Sequence, residues 1–402
     1  MKPAFIARGL GCILTLAGTA GQCQLLPDMA MNAPDELAWR LFLQVNARGP
    51  GINNALFETW ADDSDTFQVN PSFPAGPTPI RPRPSVVPAQ GPAVAAAGIA
   101  RRGVMAAPLV NPAPPVPPKP DLTGEEVRRN RDAFDFIVKN NLYTVTGLKA
   151  AAGKSLSFPS TAIEIKAEWL PVNEIPAFTL NRITSADVPK QFHLNTAADG
   201  KQYGLIAMHI ITKLVPNWTW ATFEHELNPA RCDIIGCNDR FGAQSPGITR
   251  ANQSAMMGYA PCVKSQTLQS LFASTKWDAA FEHYCLKGTQ TDFTDRTGVA
   301  IRLGNSIAEK GFVQQSSCMT CHARAAWGSD GKETSRDGFD DNGPPLGAIN
   351  AAWFWKFTVD PPIFVGMGGL IQTATSADFV WSIARCAYDD TATPPKTHCD
   401  GK

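Results

Sequence analysis

Residues 203–225 read YGLIAMHIITKLVPNWTWATFEH. Tyr203 to Lys213 and Trp218 to His225 are rich in β-branched and aromatic residues, the composition of paired strands. Leu214 to Asn217 separate them, and Pro216 with Asn217 are turn residues, so the segment predicts an antiparallel hairpin. Upstream, Ala162 to Trp169 and Phe178 to Ile183 are further strand candidates, preceded by one helix carrying Val127, Phe134 and Phe136. Short strands separated by Pro and Gly suggest a β-sandwich or similar antiparallel sheet over residues 121–245. The expected hairpin register places His209 and His225 on one face, diagonally across strands, with Glu224 on the other. Two neighbouring imidazoles would suit a metal; two separately hydrogen-bonded histidines is the plainer alternative.

Moving outward from the hairpin, residues 34–70 form a helical segment. Leu37, Leu41 and Val45 with Trp39, Phe42 and Leu43 have helical spacing, and Asp35 and Glu36 suit a first helical turn. Residues 71–120 then hold fifteen of the thirty-three prolines, with much Ala and Gly, and read as an extended or disordered insertion or linker. An ordered loop lying over the next domain is the alternative. At the N-terminus Lys2 and Arg8 precede an apolar run from Gly9 to Gly18, and small residues follow at Thr19, Ala20 and Gly21. That is the layout of a cleaved secretory signal over residues 1–22, too short to span a bilayer.

Ten cysteines agree with an oxidising compartment, periplasmic or extracellular. Cys12 would leave with the signal, and Cys23 is a candidate lipid anchor, although Ala20, Gly21 and Gln22 fit an attachment box poorly. Six others are free to pair, and short loops close most readily. The expected bridges are therefore Cys232–Cys237, Cys262–Cys285 and Cys386–Cys399, the second stapling a helical connector over residues 246–290. Charge is balanced, 36 basic against 36 acidic side chains. No basic field points to nucleic acid.

The remaining two cysteines carry the chemistry. Cys318, Met319, Thr320, Cys321 and His322 spell C-x-x-C-H, the attachment sequence of c-type haem. Two thiols at that spacing add across the haem vinyl groups, and the adjoining histidine then falls beneath the iron. A fourth disulfide, a redox-active dithiol and half of a zinc site are the alternatives. Zinc would want further Cys or His within reach, and none lies within twenty residues on either side.

Leu303, Ile307, Phe312 and Val313 suggest a helix ending close to Cys318, as in small monohaem cytochromes c. Gly343, Pro344, Pro345 and Leu346 resemble the Gly-Pro-x-Leu turn of that family, which implies that the Pro345 carbonyl accepts the hydrogen bond from the His322 imidazole. Met367, within Val365-Gly366-Met367-Gly368-Gly369, is the candidate for the other iron ligand, with Met256 and Met257 as weaker rivals. Family resemblance places a methionine at about that distance, before a C-terminal helix. Thr375 or Ser376 would cap that helix, with Phe379, Val380, Ile383 and Ala384 inward. Trp327, Trp353, Phe354, Trp355 and Phe357 would wall the porphyrin.

The segments Trp218 to His225 and Gln315 to Ala323 resemble those of large bacterial cytochrome c family proteins, over much of residues 121–385. That resemblance implies an α+β chain: a β-sandwich-like antiparallel domain followed by a mostly helical cytochrome c-like haem domain over residues 291–402. The resemblance implies no particular reaction; the C-x-x-C-H motif together with the export signal favours exported single-electron transfer through one covalent haem c to a redox partner protein. A haem enzyme, peroxidase or oxygenase, with an open iron position and a substrate cleft against the β-rich domain, is the rival.

Overall fold

In the computed structural model, which describes residues 25–49, 51–84, 124–244, 247–249, 259–310, 312–334, 345–357, 369–396 and 399, eight strands pair into one antiparallel sheet. They are β1 (Ala61–Asp62), β2 (Arg83–Pro84), β3 (Gly124–Arg129), β4 (Ile163–Pro171), β5 (Leu194–Thr196), β6 (Gln202–Thr212), β7 (Thr219–His225) and β8 (Tyr284–Gln290). The spatial order is β1-β3-β4-β6-β7-β8, with β2 on β3 and β5 on β6. The chain is therefore α+β, but these eight strands build a single sheet rather than the two packed sheets of a sandwich, the other described strands forming two-stranded ribbons.

Each face of that sheet is covered by something other than strands. On one side Ile163, Ile165, Ala167, Trp169, Met208, Ile210, Ala221, Phe223 and Leu286 are buried against the helix α1 (Pro34–Asn46). This helix starts where expected, with Pro34 in its first turn beside Asp35 and Glu36. Its Phe42 ring stacks on Phe223 at 4.3 Å, and Trp39 meets the same ring edge-on at 5.0 Å. The N-terminal helical segment is thus one wall of the sheet's core.

The opposite face is polar at its centre. Lys166 pairs with His209 and His209 with Thr222 across β4, β6 and β7, so Glu164, Lys166, Glu168, His209, Thr222 and Glu224 all point to this side. Residues 303–309 cross over it: the Asn305 amide donates to Thr222 Oγ1 at 3.0 Å, and the Ser306 N–H donates to Glu224 Oε1 at 2.8 Å. Toward the strand ends this face turns apolar. Ile211, Trp218 and Trp220 join a second core with the helices Arg131–Lys139 and Val145–Ala151, Cys318, Met319, Trp327 and Ile383. The C-x-x-C-H segment and the sheet therefore share one core.

Several expected elements take other forms. Tyr284–Gln290, expected within a helical connector, is the strand that closes the sheet beside β7. Phe178 ends a short helix, Ile175–Phe178, and positive-φ backbone follows at Leu180 and Asn181, so no strand forms there. Residues 71–84 are built into the fold: Ile80 is wholly buried, and the Thr78 and Pro79 carbonyls accept from the buried Arg128 guanidinium. Most of the proline-rich stretch, like the proposed signal and Cys23, lies outside the described residues. Within residues 291–402 the α-helices described are Cys318–Ala323 and Trp381–Cys386. Leu303 lies in an extended bridge to Ser317 in place of the helix expected before the motif. Thr375–Ser376 pairs as a short strand with Ala326–Trp327 rather than capping a helix.

All three expected disulfides form: Cys232–Cys237, Cys262–Cys285 and Cys386–Cys399. Among the described residues no helix is long and apolar enough to cross a membrane.

Candidate functional site

With six of the eight described cysteines in bridges, Cys318 and Cys321 remain as free thiols. Both sit on the six-residue helix Cys318–Ala323, whose start is fixed from several directions. Ser317 caps it, its hydroxyl accepting from the Thr320 N–H at 3.3 Å. Gln290 at the end of β8 reaches across to donate to the Ser317 hydroxyl at 2.8 Å and accept from the Met319 N–H at 3.2 Å. The Cys318 N–H and its thiol both point to the Leu303 carbonyl, at 3.2 and 3.3 Å. A buried glutamine on the sheet thus locks the pair of cysteines to the strand ends.

His322 follows one residue after the second thiol on the same helix. Its Nδ1 lies 2.9 Å from the Phe379 carbonyl oxygen. That carbonyl, and not Pro345, is the acceptor for the imidazole. Pro345 is buried beside the same helix, and its neighbour Gly347 accepts from the Thr320 hydroxyl at 2.7 Å. The proline-bearing turn therefore holds the helix through Thr320 while another loop holds the histidine.

The loop that presents Phe379 is itself clamped. Asp378 and Phe379 have positive φ, 48° and 73°, a conformation L-residues rarely adopt unless their surroundings impose it. Here Asp378 Oδ1 accepts from Lys213 Nζ at 2.5 Å and Oδ2 from the Phe158 N–H at 2.8 Å. Lys213 also donates to the Pro216 carbonyl at 2.8 Å. One buried ion pair thereby ties the hairpin turn to the loop that orients His322.

Electrostatics favour neutral groups throughout. Burial pulls His322 down to about 3, and the Phe379 hydrogen bond only partly offsets it, so its imidazole is neutral at physiological pH. Burial, then the Glu309 carboxylate, pushes Cys321 up to about 11 and Cys318 well above its ordinary value. Protonated thiols do not suit a thioredoxin-type dithiol, which needs a stabilised thiolate. Nor does a zinc cage assemble: among the described residues no cluster of three or more ligand side chains includes Cys318, Cys321 or His322.

Trp220 lies with its ring centroid 4.7 Å from that of His322, and Phe379 and Phe293 extend the aromatic surface at centroid spacings of 6.1 and 6.5 Å. Trp327 is wholly buried in the core that also holds Cys318 and Met319, its N–H donating to the Leu148 carbonyl at 2.9 Å. Trp353 donates to the Arg324 carbonyl, and Trp355 is 40% exposed. Met367, Met256 and Met257 lie outside the described residues, as do Gly343 and Pro344.

The two histidines of the hairpin part company. Thr212 pairs with Thr219, an odd offset that puts His209 beside Glu224 on the polar face and His225 on the other, where it stacks on Phe192 at 3.6 Å. They cannot share a metal.

Compared with known proteins, the chain matches no family model, no curated protein and no solved structure. Its function has to be argued from this site.

Elsewhere, a cavity of about 350 Å³ lies at the β1–β3 edge, lined by Asp62, Asp63, Arg81, Arg83, Glu126 and Tyr203 among others. Its charges pair with one another, Arg81 with Asp62 at 2.7 Å and Arg83 with Asp63, and none belongs to the C-x-x-C-H segment.

Proposed function

We propose that this protein binds one haem c through thioether bonds from Cys318 and Cys321, with His322 on the iron through Nε2, and that it transfers single electrons outside the cytoplasm. The observation that carries this reading is the pairing of two unbridged thiols with an imidazole whose Nδ1–H is already committed to a carbonyl. That bond selects the tautomer in which Nε2 holds a lone pair, as metal-ligating histidines require. Covalently bound haem would supply a one-electron couple.

The residues fit that group chemically. Both thiols are protonated and so retain the hydrogen that addition to a vinyl group transfers to carbon. Trp220, Phe293 and Phe379 provide the apolar, aromatic contact that a porphyrin needs. The cytochrome c resemblance of Gln315 to Ala323 supports the same assignment, and the three disulfides accord with export. In this reading the sheet is the platform that fixes the haem segment and offers a face to a redox partner protein.

Stopped-flow mixing of reduced protein with a small soluble oxidant tests electron transfer. Rapid one-electron oxidation, with a spectrum indifferent to carbon monoxide, is the expected result. A reduced protein that binds carbon monoxide at once and turns over peroxide would replace the carrier by the haem-enzyme reading.

A further inference from the structure

The geometry points to His209 as the second axial ligand of the iron, through Nε2. This inference rests on the haem reading above and goes beyond it, because the sequence nominates Met367, from its glycine-flanked position and family resemblance, as the second ligand.

Three observations on the sheet carry the assignment. His209 lies on the polar face of β6, opposite Thr222 and diagonal to Trp220, whose ring is 4.7 Å from His322. Diagonal neighbours on a sheet have Cβ atoms about 7–8 Å apart, so His209 and His322 flank the same tryptophan. Second, His209 is 91% buried, yet its Nε2 has no hydrogen-bond partner. The Glu309 carboxylate approaches it, but its Oε2 is 3.6 Å away, beyond hydrogen-bond reach. Leaving a buried imidazole nitrogen unpaired is costly, and native proteins avoid it unless another group fills the need.

Third, the groups around His209 are those around the thiols. Lys166 stands across the strand pair from His209, and Glu309 is held by the Asn305 N–H. Trp220, diagonal to His209, shares a buried core with Cys318. The thiols, His322 and a buried histidine whose Nε2 lacks a hydrogen bond therefore lie around one tryptophan.

Two imidazoles would give a low-spin iron closed to small molecules, at a lower potential than thioether ligation sets.

The test uses the exported holoprotein, with a pyridine haemochrome spectrum taken first on every sample. Without a c-type signal there, the haem reading falls and the ligand assignment with it. With that signal, oxidised wild type is expected to be low-spin and to lack the near-infrared charge-transfer band of thioether-ligated iron. Met367→Ala should leave the spectrum unchanged. His209→Ala should turn high-spin and bind carbon monoxide, and added imidazole should restore the low-spin form. Should His209→Ala fail to fold, the wild-type near-infrared spectrum and Met367→Ala still decide. A thioether band in wild type, lost in Met367→Ala, overturns the proposal, as does a high-spin wild type that binds carbon monoxide.

Discussion

His322 Nδ1 lies 2.9 Å from the backbone oxygen of Phe379, 57 residues further along the chain. The bond depends on left-handed backbone at Asp378 and Phe379, and that backbone is held by Lys213 through Asp378. Lys213 and Asp378 are both 7% exposed. Lys213→Met would leave a buried carboxylate unpaired, a loss of about 3–5 kcal/mol measurable by urea unfolding. It should also loosen the Phe379 carbonyl, weaken the imidazole as a donor and raise the haem potential. A potential unchanged in a folded Lys213→Met variant would separate the clamp from the ligand.

A second buried histidine sets a pH limit on stability. His193 bridges Glu58 and Asp278, at 2.8 Å each, and stacks on Phe281 at 4.4 Å. Burial opposes its charge, but hydrogen bonds to Asp278 and Glu58 win and raise its pKa to about 9. Its folded value lies above the ordinary 6.5, so the stabilisation is fully present below about pH 6.5 and is lost as pH rises through about 9. Roughly 1–3 kcal/mol should disappear over that interval, because each tenfold gain in proton affinity on folding is worth about 1.4 kcal/mol. Urea unfolding of wild type and His193→Gln at about pH 6.5, 8 and 9.5 checks this: the difference between them should shrink as pH rises.

Phe42→Ala tests whether the N-terminal helix is part of the sheet's core. Phe42 is wholly buried and stacked on Phe223 at 4.3 Å, so truncation should cost about 3–5 kcal/mol. A cost near zero would mean that the helix folds apart from the sheet.

The Cys386–Cys399 bridge closes a short loop near the pair of buried Asp63 and half-buried Arg83. Replacing both cysteines by Ser should lower stability by about 2–4 kcal/mol. Alkylation without reductant, followed by peptide mapping, should show Cys232, Cys237, Cys262, Cys285, Cys386 and Cys399 unmodified in the folded protein.

The hairpin was legible because β-branched and aromatic runs flank a Pro-Asn turn, and β6 and β7 fall within a residue of the predicted limits at both ends. Its register was not. A single-residue change in the turn inverts which side chains share a face, and no local feature of Leu214 to Asn217 distinguishes the odd offset from the even one. That inversion separates His209 from His225 and joins it to Glu224. Trp220, on the same face as His209, went unmarked for the same reason. Cys318, Cys321 and His322 were legible as a group because five consecutive residues bring them together, and the structure sets all three on one short helix. The acceptor for His322 was not, since any residue can offer a carbonyl; the left-handed turn at Asp378 and Phe379 has no glycine to announce it. Tyr284–Gln290 escaped notice because its pairing partner lies some sixty residues earlier.

Covalent haem at Cys318 and Cys321 is the claim on which the rest depends, and intact-mass measurement of the exported, acid-denatured protein tests it most directly. The predicted mass exceeds that of the processed chain with three disulfides by one haem, and the excess vanishes in Cys318→Ala/Cys321→Ala. A wild-type mass equal to the bare polypeptide, or lighter by the two hydrogens of a fourth disulfide, would contradict the account.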